Sequence, residues 1–376
     1  MFNFAVDHVN VFNTSMNKNY YAIIMAGGIG SRFWPISRTS YPKQFLDILG
    51  TGKTLIQNTY ERFLKVCPKE NIFVVTNENY TQLVKTQLPD MADNQILTEP
   101  VMRNTAPCVA YGCYKIETLN PDAAIVVAPS DHLILDEAAF VATIEKSLKT
   151  ASEHSCLVTL GIKPSRPDTG YGYIQYTDNT LDNDFHKVKT FTEKPNTDLA
   201  KTFIQSGDFL WNAGIFVWSA KAIVKAFNSY LPDMHEIFAE ARSVYNTSEE
   251  KAHVHKAYQQ CTNISIDYGI MEKADNVYVL PSEFGWSDLG TWASIYELAE
   301  KDYVGNAVIP ADKVIMYDSS NCMVNVPGEK LVILQGLHDY IVVESNNTLL
   351  ICPRDQEQNV KQVVADVKQR FGVKYI

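Results

Sequence analysis

Between residue 20 and about residue 160 the chain alternates short apolar runs with longer amphipathic stretches. The runs at 21–25, 71–75, 123–128 and 156–160 are nearly continuous in apolar residues and show no polar alternation. A strand that reads this way is buried on both faces, the pattern of a parallel sheet covered by helices. The stretches at 54–66, 78–88, 105–119 and 137–153 have helical length and supply the covering layers. Together they predict an α/β domain with a Rossmann-like, mixed but mainly parallel sheet flanked by helices.

From 165 to 220 the texture changes to glycine, proline and aromatic residues, with strand-like segments at 172–176, 187–192 and 214–218. Helical stretches follow at 198–206, 220–227, 234–245 and 249–261. Near 302 it changes again, to short β segments at 313–317, 322–326, 330–334, 340–344 and 348–352, broken by Asn, Gly and Pro. This spacing predicts a small β-helix-like module, closed by an amphipathic helix over 356–371. The expected division is a flexible N-terminal extension at 1–18, a catalytic-sized α/β domain at 19–301, and the β module with its closing helix at 302–376.

Composition narrows the class. Of 376 residues, 33 are basic and 43 acidic, so the formal charge is −10; this argues against a nucleic-acid partner or a polybasic membrane anchor. It does not argue against phosphate ligands, which need only a local concentration of cations. The 7 cysteines are odd in number and contain no C-x-x-C pair, which fits reduced core thiols in the cytoplasm. No secretory signal is expected at the start of the chain, and no window approaches the roughly 18 uninterrupted apolar residues of a membrane span.

The segment 21–48 holds the densest chemistry. An apolar strand runs directly into Gly27, Gly28 and Gly30, so backbone N–H groups can approach a phosphate or base at the carboxyl edge of a sheet. Two familiar glycine motifs do not fit. A dinucleotide fingerprint starting at Gly28 needs glycine where Phe33 stands, and a P-loop ending at Gly52-Lys53-Thr54 needs it where Asp47 stands. Instead the glycines lead into Arg32, Arg38 and Lys43, with Pro35 and Pro42 restricting the loop. Fixed cations on a glycine turn suit a triphosphate, which needs hydrogen-bond donors and counter-charge together.

The string GGIGSRFWPISRTSYPKQF at 27–45 resembles the signature of the sugar-1-phosphate nucleotidyltransferases. Its FWP and PKQF details resemble the branch that transfers GMP from GTP to mannose 1-phosphate. The resemblance continues in colinear order through EPVMRNTAP at 99–107, APSDH at 128–132, FTEKP at 191–195, WNAGIF at 211–216 and FGWSDLGTW at 284–292. It implies a nucleotide site at Gly27, Gly28, Gly30, Arg32, Lys43, Arg103, Asn104 and Thr105. It implies sugar-phosphate contacts at Gly172, Glu193, Lys194 and Asn212, and a Mg²⁺ ion held by Asp131 and Asp288. Asp131 ends a buried run, so its carboxylate should emerge beside the glycine turn; two carboxylates plus triphosphate oxygens make the hard oxygen site that Mg²⁺ favours. His132 reads as a structural neighbour.

The implied reaction is attack of the sugar phosphate on the α-phosphorus of GTP, giving GDP-mannose and pyrophosphate. Its catalytic residues would be Arg32, Lys43, Asp131, Lys194 and Asp288. Alternatives are a related enzyme with another sugar or base, and a non-catalytic regulatory paralogue that binds nucleotide sugars. Longer members of the family carry an isomerase domain, and since this sequence ends at Ile376 no isomerase activity is expected. The exposed ladder of a small β module makes a homodimer the expected assembly.

Overall fold

The computed structural model describes residues 16–376. The expected N-terminal extension therefore lies almost wholly outside the described residues. Nine strands form one sheet: β1 Tyr20–Ala26, β2 Ile72–Asn77, β3 Ile96–Glu99, β4 Ala124–Pro129, β5 Leu157–Ile162, β6 Gly172–Leu181, β7 Phe185–Glu193, β8 Phe209–Ser219 and β9 Val277–Ser282. Their spatial order is β3-β2-β1-β4-β8-β5-β9-β7-β6. β1 is parallel to β2 and β4, and β2 to β3, while β8 runs antiparallel between β4 and β5. The mixed, mainly parallel expectation is met in the first half, and antiparallel pairs dominate the β6–β7–β8 side.

Side-chain parity divides the core in two. Tyr21 and Ile23 of β1, with Ile125 and Val127 of β4, face one helical layer. Ala22, Ile24 and Ala26, with Ala124, Val126 and Ala128, face the other. Both faces are dry, which is why these strands read as unbroken apolar runs. β3 falls outside the expected strands, because four residues with a terminal glutamate carry too little apolar signal.

Past residue 306 the chain coils through short parallel strands. Ala307–Ile309, Met323–Asn325 and Tyr340–Ser345 stack in one ladder, and Val314–Tyr317 with Val332–Gln335 in another. Successive strands alternate between the two ladders, which is a β-helix-like path. The closing helix is Val360–Phe371.

The module does not hang free. One apolar cluster joins Phe33 and Trp34 of the glycine-rich loop to Leu289, Trp292 and Ile295, and these to Ala307, Met323, Ile341 and Val360 of the module. Trp292 is fully buried, and its ring meets Phe33 edge-on at 5.2 Å between centroids. Truncation to Trp292→Ala should lower the unfolding free energy by about 3–5 kcal/mol. Trp292→Phe should cost less than half as much, because it keeps an aromatic ring and removes an indole N–H that has no partner among the described residues. Urea unfolding followed by circular dichroism reads both; an alanine variant as stable as the parent contradicts the packing.

Candidate active site

The site begins where β1 and β4 end side by side. Ser130 N donates to Met25 O at 3.0 Å, and the Ala26 carbonyl accepts from Thr76 Oγ1 and Gln44 Nε2, both at 2.9 Å. The strand end is thereby fixed before the glycines start. Gly30 has φ of 65°, and a Cβ there would lie 2.4 Å from Lys43 Cβ, so only glycine fits. Gly28 faces open space, where a ligand can approach the backbone.

Lys43 is 3% exposed, yet its ammonium makes two strong contacts, to Asp131 Oδ2 at 2.9 Å and to the Asp288 carbonyl at 2.6 Å. It also lies over the Phe33 ring at 5.5 Å. Burial alone would raise the Asp131 carboxyl, but the charges of Lys43 and His132 outweigh it and hold Asp131 below the ordinary carboxylate range. Asp288 Oδ1 accepts from Tyr171 Oη and from Gly290 N, both at 2.8 Å. A Cβ on Gly290 would meet Asp288 Oδ2 at 2.4 Å. Each aspartate thus keeps one carboxylate oxygen outside these hydrogen bonds.

Gly30, Arg32, Lys43, Asp131, His132 and Asp288 line one cavity of about 310 Å³. Arg32 Nε is buried and has no hydrogen-bond partner among the described residues. His132 Nδ1 accepts from Trp286 Nε1 at 3.1 Å, and burial holds its imidazole below the ordinary value. Two carboxylates with unengaged oxygens fit a divalent cation that draws its other ligands from phosphate and water. Among the described residues no group of three or more His, Cys, Asp or Glu forms a self-sufficient metal cage.

A second cavity, of about 800 Å³, adjoins the first and shares Arg32, Asp288 and Gly290 with it. Lys194 and Tyr171 line its wall, with Trp211 and Trp286. Lys194 takes φ of 47° and pairs with Glu193. A Cβ on Gly172 would meet Glu193 Oε2 at 2.6 Å, so this glycine makes room for the carboxylate. Asn212 Nδ2 donates to Asp267 Oδ1 at 2.7 Å. Burial first, and then Glu193, pushes the Asp267 carboxyl upward.

Arg103, Asn104 and Thr105 line neither cavity. Arg103 Nε donates to the Tyr258 carbonyl, Asn104 Oδ1 caps the helix Thr105–Leu119, and Thr105 Oγ1 accepts from Ile266 N. The hydroxyl of the same Tyr258 donates to Glu99 Oε1 at 2.9 Å, and Glu99 Oε2 lies 3.3 Å from where a Gly27 Cβ would stand. One expectation fails: Arg38 is not a phosphate cation. Its guanidinium donates to the carbonyls of Pro35 and Ser345 and to Thr348 Oγ1, which ties the loop to the β module.

Sequence reasoning missed Tyr171 as the support of Asp288, Asp267 beneath Asn212, and Glu99. A usable signal existed for Glu99 alone, an acid ending an apolar strand before Pro100.

With this geometry in place, comparison with known proteins decides the family. The nucleotidyl transferase family model matches residues 21–304, and a MannoseP isomerase/GMP-like beta-helix domain matches 312–367. The chain belongs to the nucleotidyl transferase family. The alginate biosynthesis protein AlgA of Pseudomonas aeruginosa is 36% identical, over 92% of this chain and 71% of its own length. The mannose-1-phosphate guanylyltransferase of Salmonella montevideo is 36% identical, over 92% and 73%. A Thermus thermophilus structure described as a mannose-1-phosphate geranyltransferase superposes with TM-score 0.83 at 30% identity, covering 93% of this chain and 99% of that one.

Glu99 yields a pH test. Burial raises its carboxyl to about 7, against the opposing hydrogen bond from Tyr258. A raised folded pKa gives stability that is complete below the ordinary carboxylate value and is lost as pH rises through about 7. Glu99→Gln should therefore gain stability relative to the wild type as pH rises from about 4 to about 8, a span bracketing both values. Urea midpoints at the two pH values measure this; a constant or shrinking difference contradicts it.

Proposed function

We propose that the chain transfers GMP from GTP to α-D-mannose 1-phosphate, releasing pyrophosphate and forming GDP-mannose. The observation that carries this is one cavity at a glycine turn where Lys43, Asp131, Asp288 and an Arg32 whose Nε has no partner among the described residues converge. The choice of guanine and mannose is supported by the resemblance of the motifs and by the activity named for the Salmonella relative.

The nucleophile is a phosphate oxygen that is already anionic, so no general base is required, and catalysis rests on positioning and charge neutralisation. Gly27 and Gly28 leave the backbone open to the nucleotide, and Gly30 seats Lys43 under it. Two of the three Lys43 ammonium protons are engaged, with Asp131 and the Asp288 carbonyl; the third is available to an α-phosphate oxygen. Arg32 neutralises the departing pyrophosphate. Lys194 holds the incoming sugar phosphate in the adjoining cavity, with Glu193 and Asn212, spaced by Gly172, for the hexose hydroxyls. Mg²⁺ on Asp131 and Asp288 would supply Lewis-acid neutralisation of phosphate charge. Arg103, Asn104 and Thr105 shape the base side beside Glu99.

The reading places the enzyme in the cytoplasm, supplying an activated sugar for polysaccharide assembly, with neither a membrane nor a nucleic acid as partner. No described helix is long and apolar enough to cross a membrane. A pyrophosphate-release assay crossing GTP, ATP, UTP and dTTP with mannose and glucose 1-phosphates tests reaction, base and sugar together. The GTP–mannose pair should dominate, and another dominant pair would reassign the substrate. Lys43→Ala or Asp131→Asn should each lower kcat by about 10²–10³ in folded protein, the usual cost of a preorganised charged contact. Near-normal turnover in either would remove that residue from the mechanism.

The module's outer ladder leaves Ile315, Tyr317, Leu331 and Ile333 exposed together. We read this apolar patch as the homodimer contact. Light scattering should give a dimer for the wild type and a monomer for Ile315→Glu/Ile333→Glu. An unchanged mass in the double variant would place the contact elsewhere.

A further inference from the structure

The closing helix belongs to the β module by sequence, yet its first turn reaches the phosphate cavity. Lys361 lines the same space as Gly30, Arg32, Lys43, Asp131 and Asp288. The helix is held there by three contacts. Val360 is buried in the cluster of Phe33, Trp34 and Trp292. Trp34 Nε1 donates to the Tyr375 carbonyl at 2.7 Å. Ala293 N donates to Glu357 Oε2 at 2.8 Å, one turn before Lys361.

Lys361 has an exposed side chain and forms no ion pair among the described residues. The positive charge of Arg32, then partial burial and Lys194, pushes its ammonium below the ordinary value. Arg32 in turn has a buried Nε without a partner among the described residues. The acid beside them, Glu357, is engaged with the Ala293 amide. Two cations from elements more than three hundred residues apart thus face one cavity beside a left-handed glycine, and no described carboxylate forms an ion pair with either. Mutual repulsion of this kind is relieved when a polyanion enters. Lys361 is absent from the lining of the cavity that holds Lys194, so its anion is on the glycine-turn side.

We infer that Lys361 is a phosphate-binding residue, which acts with Arg32 on the outer phosphates of the nucleoside triphosphate and on the pyrophosphate released. The inference rests on the reading above for the identity of the triphosphate. It does not rest on that reading for the existence of a pyrophosphate site. The β module thereby contributes a side chain to the reaction that the α/β domain cannot supply.

Calorimetric titration of the full chain with magnesium pyrophosphate, and separately with mannose 1-phosphate, tests this. Lys361→Met should weaken pyrophosphate binding about tenfold or more, the worth of one charge-assisted hydrogen bond, and leave mannose 1-phosphate binding unchanged. Lys361→Arg should keep most of the affinity, and Lys368→Met, further along the same helix, should match the wild type. Thermal melts establish that each variant is folded. Pyrophosphate affinity in Lys361→Met within about twofold of the wild type would overturn the inference, as would a loss confined to mannose 1-phosphate. A wild type that does not bind pyrophosphate also overturns it. Binding that depends on Lys361 in a protein that turns over no GTP would uphold this inference and overturn the proposed reaction.

Discussion

One buried ammonium holds the centre of this molecule together. Lys43 Nζ reaches Asp131 at the end of β4 and the backbone of Asp288 in a loop more than two hundred residues later. A buried cation is tolerated only when it is paired and hydrogen-bonded, so these contacts fix where the three chain segments meet. Gly30 completes the arrangement, since any side chain there would displace Lys43. The two aspartates are consequently presented to one cavity, with an oxygen of each left outside the protein's own hydrogen bonds. Positioning of this sort is what a reaction between two phosphates needs, because the attacking group requires no activation.

The frame around that contact was legible in the sequence where burial is two-sided. β1, β2, β4 and β5 are unbroken apolar runs because helices cover both faces, and their carboxyl ends locate the glycine turn and Asp131. Lys43 and Asp288 were legible through motif resemblance. Arg38 was misread because a cation in a phosphate loop and a cation tethering that loop to another module have the same local sequence. Only the fold shows the carbonyls of Pro35 and Ser345 occupying its guanidinium. Tyr171, Asp267 and Lys361 were illegible for a related reason. Each acquires its role from a partner far along the chain, and nothing in its own neighbourhood records that partner.

The β module is more than an appendage. Its core is continuous with Phe33, Trp34 and Trp292, so packing of the module and placement of the glycine-rich loop are one problem. Arg38, Trp34 and Glu357 add polar ties across the same seam. A seam of this kind holds the phosphate loop in place through contacts made by the protein itself. It also explains how a helix more than three hundred residues further along the chain can bring Lys361 to the cavity of Arg32 and Lys43.

In the proposed reaction transfer is direct, with the sugar phosphate attacking the α-phosphorus and no protein nucleophile between. The stereochemical course at that phosphorus tests it most directly. With a single diastereomer of guanosine 5′-(1-thiotriphosphate) and mannose 1-phosphate, phosphorus NMR of the product reads the configuration. Direct in-line transfer gives pyrophosphate release with inversion at the α-phosphorus. Retention, which signals a covalent guanylyl-enzyme, or the absence of any transfer would contradict it.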